Sequence, residues 1–330
     1  AALIGAAGWI TLANWARAPV STTHSVIGAV AGAGLMAMGV AAVNWPMIAQ
    51  IALAWIMAPV ITAAQAALLL GFMRWRLHFV PDRGRAARLW LPLMIGAMAL
   101  IFALYLTRLV TGAPLGRAGL ALSAGLGLAA WALIRLQLER EIRRDGHEKL
   151  SLKRLLSGPL VVTALLSGFA HGANDVANIA GPLSVLQGGA GGAVSLQVIG
   201  LGAAAIAIGS FVFGRRLVRM VGMSITRLNP VRAFCAALAG ASSVLAFSAL
   251  GLPVSTTHCA VGGIFGVGFY REWEDRFRRK SRKSLPPEEI FRRQLVRRSH
   301  VWTTLAAWAV TVPGAGIMAA LSFGLIRVAF

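Results

Sequence analysis

The sequence predicts an all-α polytopic membrane protein built from inverted-topology repeats, with two re-entrant helical hairpins and a broken helix. Three observations predict it. The 330-residue chain is 57% hydrophobic and 13% charged, with a mean hydropathy of +0.71, whereas a soluble domain is about 25% charged. Its Lys and Arg are gathered into a few connecting stretches. One six-residue block, Pro-Val-Ser-Thr-Thr-His, occurs twice, 234 residues apart.

From the N-terminus, residues 1–40 are apolar and Gly-rich around the first block, Pro19-Val20-Ser21-Thr22-Thr23-His24. The second copy is Pro253-Val254-Ser255-Thr256-Thr257-His258. Nine of the sixteen positions 19–34 are identical to 253–268, which marks an internal repeat. Apolar runs at 47–73, 89–106, 118–133, 193–213 and 301–326 are long enough, or nearly so, to cross a ~30 Å hydrocarbon core. The 37 glycines suit close packing of membrane helices. The expected organisation is a membrane part of a first repeat (1–134), a cytoplasmic basic linker (135–157), a second repeat (158–270), a cytoplasmic charged loop (271–300) and a last transmembrane helix (301–330). The charged loop is expected to be partly helical.

Charge orients these pieces. Stretches 74–88, 135–154, 215–232 and 271–298 hold 28 of the 32 Lys and Arg, as cytoplasmic loops do. The second block then lies in a hairpin, 233–270, that enters and leaves from inside. The run at 47–73 starts outside, so the first hairpin leaves from outside. Two copies of one motif entering from opposite faces form an inverted repeat.

Of eleven Asp and Glu, ten sit in charged connecting stretches. Asp175 alone lies between apolar segments, in Gly172-Ala173-Asn174-Asp175-Val176-Ala177-Asn178. An acid at membrane depth costs roughly 2.5–3.5 kcal/mol on insertion scales and marks a functional site. Asn174 and Asn178 share its helical face. Gly168, Gly172, Gly181 and Pro182 are expected to break that helix, freeing carbonyls for a coupling ion. Asn174, Asp175 and Asn178 are the candidate ligands for Na⁺; alternatively, a proton neutralises Asp175.

Ser and Thr are good N-caps, so Ser21 and Ser255 are expected to begin the second arm of each hairpin. Free backbone N–H groups and the hydroxyls of Thr22, Thr23, Thr256 and Thr257 would then face an anion, phosphate above all. Two tips from opposite faces would clasp it. His24 and His258 are candidates for orienting the tips and His171 for relaying a proton, with a packing role equally open for each.

Other classes are not supported. The net charge of +21 is confined to loops, which argues for topology and lipid headgroups and not for nucleic acid. Cys235 and Cys259 match no metal spacing and read as small buried hydrophobes. No His-Glu-x-x-His and no nucleophile–base pair is visible, so no enzyme and no cofactor is expected. Gly188–Gly192 lacks the Lys-Ser/Thr of a nucleotide cradle and reads as a loop. No signal peptide is read at Ala1. The repeat offset places a first Asn-Asp motif about 62 residues before Ala1, so a first repeat lacking its N-terminal part is expected.

The Gly172–Asn178 motif and the paired Pro-Val-Ser-Thr-Thr-His blocks resemble the inorganic phosphate transporter family, solute carrier family 20. The resemblance covers nearly the whole chain, including the segment around Trp55 and Pro59. It implies Na⁺- or H⁺-coupled import of inorganic phosphate. The implied phosphate ligands are Ser21, Thr22, Thr23, Asp175, Ser255, Thr256 and Thr257, with Asn174 and Asn178 serving the cation. The expected setting is the plasma membrane, taken as a bacterial inner membrane, and a homodimer is compatible with it. A related oxyanion, a metal–phosphate complex or a non-transporting phosphate receptor are the alternatives.

Overall fold

A computed structural model describes residues 1–16, 18, 20–111, 116–145, 152–186, 194–224, 229–279 and 298–329. The elements are α1 (Ala2–Trp15), α2 (Thr22–Met38), a 3-10 turn (Val40–Ala42), α3 (Trp45–Met73) running on into a π-helical turn (Arg74–His78), α4 (Arg83–Thr111), α5 (Arg117–Asp145), the single turn α6 (Leu152–Leu155), α7 (Ser157–Leu186), α8 (Leu196–Ser224), α9 (Pro230–Ala249), α10 (Thr256–Arg279) and α11 (Arg298–Ala329). No strand occurs among the described residues.

Local signals explain the helix starts. Asn44 caps α3 and Asn229 caps α9, each by its side-chain oxygen, and each helix has proline in its first positions, where a missing N–H costs nothing. Five described helices are long and apolar enough to cross a membrane: α3 with its π turn, α4, α5, α9 and α11. Large apolar side chains such as Leu68, Leu133 and Phe211 are well exposed on them and on α8, as lipid-facing positions are. The polar middle of α7 keeps it out of that set.

Three boundaries differ from expectation. First, α7 is continuous from Ser157 to Leu186, with Pro182 inside it, so the expected broken helix is not formed. A helix keeps its ladder through Gly when nothing displaces it, and Pro182 removes a single N–H. Second, α10 runs to Arg279, beyond the expected edge at 270. Third, α5 runs to Asp145, through much of the expected linker. The Gly188–Gly192 stretch, Pro19 and 280–297 lie outside the described residues.

The hairpins are α1–α2 and α9–α10. Gly251 has φ +72°, a left-handed conformation that glycine adopts without steric cost, and it turns the chain between α9 and α10. Each hairpin's second arm packs on the helix that follows the other hairpin. In α2, Gly28 and Gly32 lie against the backbone of Val312 and Gly316 in α11. In α10, Gly262 and Gly266 lie against Pro59 and Ala63 in α3. Contacts ascend together in both pairs, so α2 runs parallel to α11 and α10 parallel to α3. The α2–α3 pair is antiparallel, because His24 meets Trp55 while a short turn joins the far ends. The two hairpins therefore point in opposite directions, as the loop charges imply.

The far ends of α3 and α10 are pinned by ions. Glu274, buried, meets Arg74 at 2.8 Å and Arg271 at 2.9 Å. The main apolar core runs through α3, α4, α5, α7, α9 and α10. A smaller one, Ala6, Ala29, Ala315 and Ala319, joins α1, α2 and α11.

Candidate functional site

Each tip is built by its serine. Ser21 is extended (φ −89°, ψ 127°) and its Oγ accepts from the His24 amide at 3.2 Å. Ser255 Oγ accepts from the His258 amide at 3.1 Å. Both are the N-caps that the sequence implied, three residues from the amide they satisfy. Both serines are buried.

The tips touch. Thr23, fully buried, donates to the Val254 carbonyl at 3.2 Å. Beside this contact four rings form a row across the seam. His24 lies 3.8 Å from Trp55 and 4.3 Å from His258, and His258 stacks on Trp308 at 3.4 Å. Trp55 also donates to the Pro253 carbonyl at 3.0 Å. His24 and His258 thus sit in the packing between the tips, away from Asp175.

Asp175, 6% exposed, reaches both tips. Its Oδ2 accepts from Thr22 Oγ1 at 3.1 Å and lies 2.9 Å from His171 Nε2. His171 Nε2 is also 3.2 Å from Thr256 Oγ1. Asp175 Oδ1 accepts from Asn174 Nδ2 at 2.9 Å. One carboxylate thus joins the first tip directly and the second through His171, whose ring is 55% exposed.

The asparagines tie α7 to the tips. Asn174 Nδ2 also donates to the Val254 carbonyl at 2.7 Å, and its Oδ1 accepts from Ser248 Oγ at 3.2 Å and from the Val254 amide at 3.4 Å. Its carboxamide is engaged at both ends. Asn178 Nδ2 donates to Thr23 Oγ1 at 3.1 Å. A cavity of about 510 Å³ between α2, α3 and α7 ends at Asn178 and Pro253. It reaches the turn between α2 and α3, on the side opposite the Arg-rich ends.

The residues expected at the site are mostly together: Ser21, Thr22, Thr23, Asn174, Asp175, Asn178, Ser255, Thr256 and His171. The side chain of Thr257, the counterpart of Thr23, makes no hydrogen bond among the described residues. Ser25, Ser248, Trp55 and Trp308 were not picked as site residues. Ser25 is buried and donates to the Ser21 carbonyl at 2.8 Å, tightening the first tip. A sequence signal existed for the tryptophans: Ala54-Trp55 recurs as Ala307-Trp308, at a larger offset because the 271–300 stretch intervenes. Ser248 carried none. No group of three or more His, Cys, Asp or Glu is placed to hold a metal among the described residues. A cation here would depend on one carboxylate with hydroxyl, carboxamide and backbone oxygens.

The chain is 37% identical over 299 residues to a protein of Helicobacter pylori (strain J99) carrying the name phosphate permease. That match covers 86% of this chain and 55% of the relative; the chain thus spans about half the length of that relative. It is 32% identical over 335 residues to a protein of the same name from Pyrococcus abyssi, covering 99% of this chain and 77% of that one. The solved structure of a sodium-dependent phosphate transporter superposes with a TM-score of 0.83 at 27% identity, over 100% of this chain and 79% of that one. The model of the phosphate transporter family matches residues 1–319. With a family model matching residues 1–319 and a relative 32% identical over 77% of its length, this chain belongs to the phosphate transporter family.

Proposed function

We propose that the protein imports inorganic phosphate across the plasma membrane in symport with a cation, by alternating access around the two hairpin tips. The observation that carries this reading is the bonding of buried Asp175 to Thr22 of one tip and, through His171, to Thr256 of the other. A ligand that competes for those bonds is sensed by both hairpins at once, and the hairpins face opposite sides.

The chemistry follows from the donors. Two helix N-termini, each carrying roughly half a positive charge, and the hydroxyls of Thr22 and Thr256 suit a tetrahedral oxyanion. Asp175 would repel it unless its charge is offset. A cation at Asp175 supplies that offset, so cation and phosphate favour each other's binding, which is the thermodynamic requirement for symport. The sodium dependence named for the structural relative favours Na⁺ over H⁺. Asn178, at the end of the cavity, adds a carboxamide oxygen to the cation's ligands.

The test is radiolabelled phosphate uptake into liposomes holding the full-length protein. Uptake is expected under an inward Na⁺ gradient and not without it. Uptake driven by a proton gradient alone would assign the coupling to H⁺. Phosphate binding without uptake under any gradient would replace transport by a receptor role. In the same protein, Thr22→Val and Thr256→Val are each expected to weaken phosphate binding by roughly three- to tenfold, the worth of one hydrogen bond. Competition with unlabelled phosphate measures this. Unchanged affinity in both variants would remove the tips from the site.

A further inference from the structure

About 30 Å along α3 from the tips, counted at 1.5 Å per residue, the π turn, the start of α4 and the later part of α5 enclose a second cavity. Its volume is about 810 Å³, within the ~300–1,000 Å³ range of sites that hold a ligand. Its wall carries Arg76, Arg85, Arg88 and Arg135, with Asp82 and Trp90. We propose that this cavity seats the phosphate headgroup of an anionic phospholipid from the cytoplasmic leaflet.

The charges in the wall do not cancel. Asp82 Oδ1 accepts from the Arg85 amide at 2.8 Å, capping α4. Arg135 is held by Glu139 at 2.9 Å and donates to the Arg88 carbonyl at 3.1 Å. Arg76 lies over the rings of Trp75 and Trp90, at 4.1 and 5.3 Å. Arg88 Nε is enclosed and has no hydrogen-bond partner. An enclosed donor left unmatched is costly, and Arg88 lines the cavity. Guanidinium is the side chain best matched to phosphate.

The setting points to a lipid. The Arg-rich ends lie inside by the charge rule, at the level of the phospholipid phosphates. Trp75, Phe79 and Leu89 beside the cavity are exposed, as an interfacial belt is. Basic pockets between transmembrane helices on this side hold lipid headgroups. Free phosphate offers the same oxygens but no acyl chains for that apolar rim.

Native mass spectrometry of the purified full-length protein tests the assignment, with phosphatidylglycerol and phosphatidylcholine of matched chains. Phosphatidylglycerol is expected to stay bound where phosphatidylcholine is lost. Arg85→Gln and Arg88→Gln are each expected to lower that retention roughly fivefold, equivalent to about 1 kcal/mol per basic side chain. Excess inorganic phosphate is expected to leave the adduct in place. Should Arg88→Gln fail to fold, Arg76→Gln and Arg85→Gln, both at exposed positions, carry the test. Equal retention of the two lipids, or retention unchanged in those variants, overturns the proposal. Displacement by inorganic phosphate also overturns it, in favour of a free-phosphate site.

Discussion

Replacing Asp175 with asparagine is expected to cut coupled phosphate uptake by ten- to a hundredfold while the protein still inserts and folds. Asp175 uses both oxygens: Oδ1 accepts from Asn174, and Oδ2 faces Thr22 and His171. A carboxamide has one acceptor oxygen and an NH₂ in place of the other. It can satisfy Asn174 or the Thr22–His171 pair, not both. It also removes the negative charge that would draw a cation. A hydrogen bond to a charged group is worth about 1.5–3 kcal/mol, which converts to the stated loss. The shape of the side chain is conserved, so packing around α7 should hold. The measurement is uptake at equal membrane expression, with insertion checked separately. Wild-type uptake by D175N would take Asp175 out of the mechanism.

Gly266→Ala and Gly32→Ala are expected to destabilise the protein by at least about 3 kcal/mol each, above the usual 1–3 kcal/mol for overpacking. At both positions the added methyl would fall on the backbone of the partner helix, at Ala63 and Gly316 respectively. Backbone cannot rotate away as a side chain can, so the helices must separate. Separation of α10 from α3 would pull the second tip from Trp55. Gly34→Ala is the internal control, since nothing lies within 4 Å of its added methyl. Thermal melting in detergent should show two large losses and one near-zero change. A small loss at Gly266 or Gly32 would mean the helices are less tightly apposed than described.

What was legible in the sequence was carried by repetition and by isolation. The duplicated Pro-Val-Ser-Thr-Thr-His block exposed both tips and their caps, because a six-residue identity survives any change in what surrounds it. Asp175 stood out because no other acid lies between apolar segments. The continuity of α7 was not legible. Glycine and proline weaken a helix in isolation, yet Asn174 and Asn178 anchor this one to the tips. The unequal partners of Thr22 and Thr256 were not legible either, since identical residues meet Asp175 in one case and His171 in the other. Ser248 is one more serine in an apolar helix until α9 brings it against Asn174. The ends of α5 and α10 were not legible, because charge marks the edge of the membrane and not the end of a helix.

The exchange of arms between the two halves has a consequence for how the chain is made. Gly28 and Gly32 of α2 meet their backbone partners, Val312 and Gly316, only in α11, some 280 residues later. At about 5–20 residues per second, synthesis leaves the first hairpin without that partner for roughly 15–50 s. During that interval Gly28 and Gly32 have no helix to lie against. The close seam between α2 and α11 therefore forms late relative to the first hairpin, after α7 and α10 have been made.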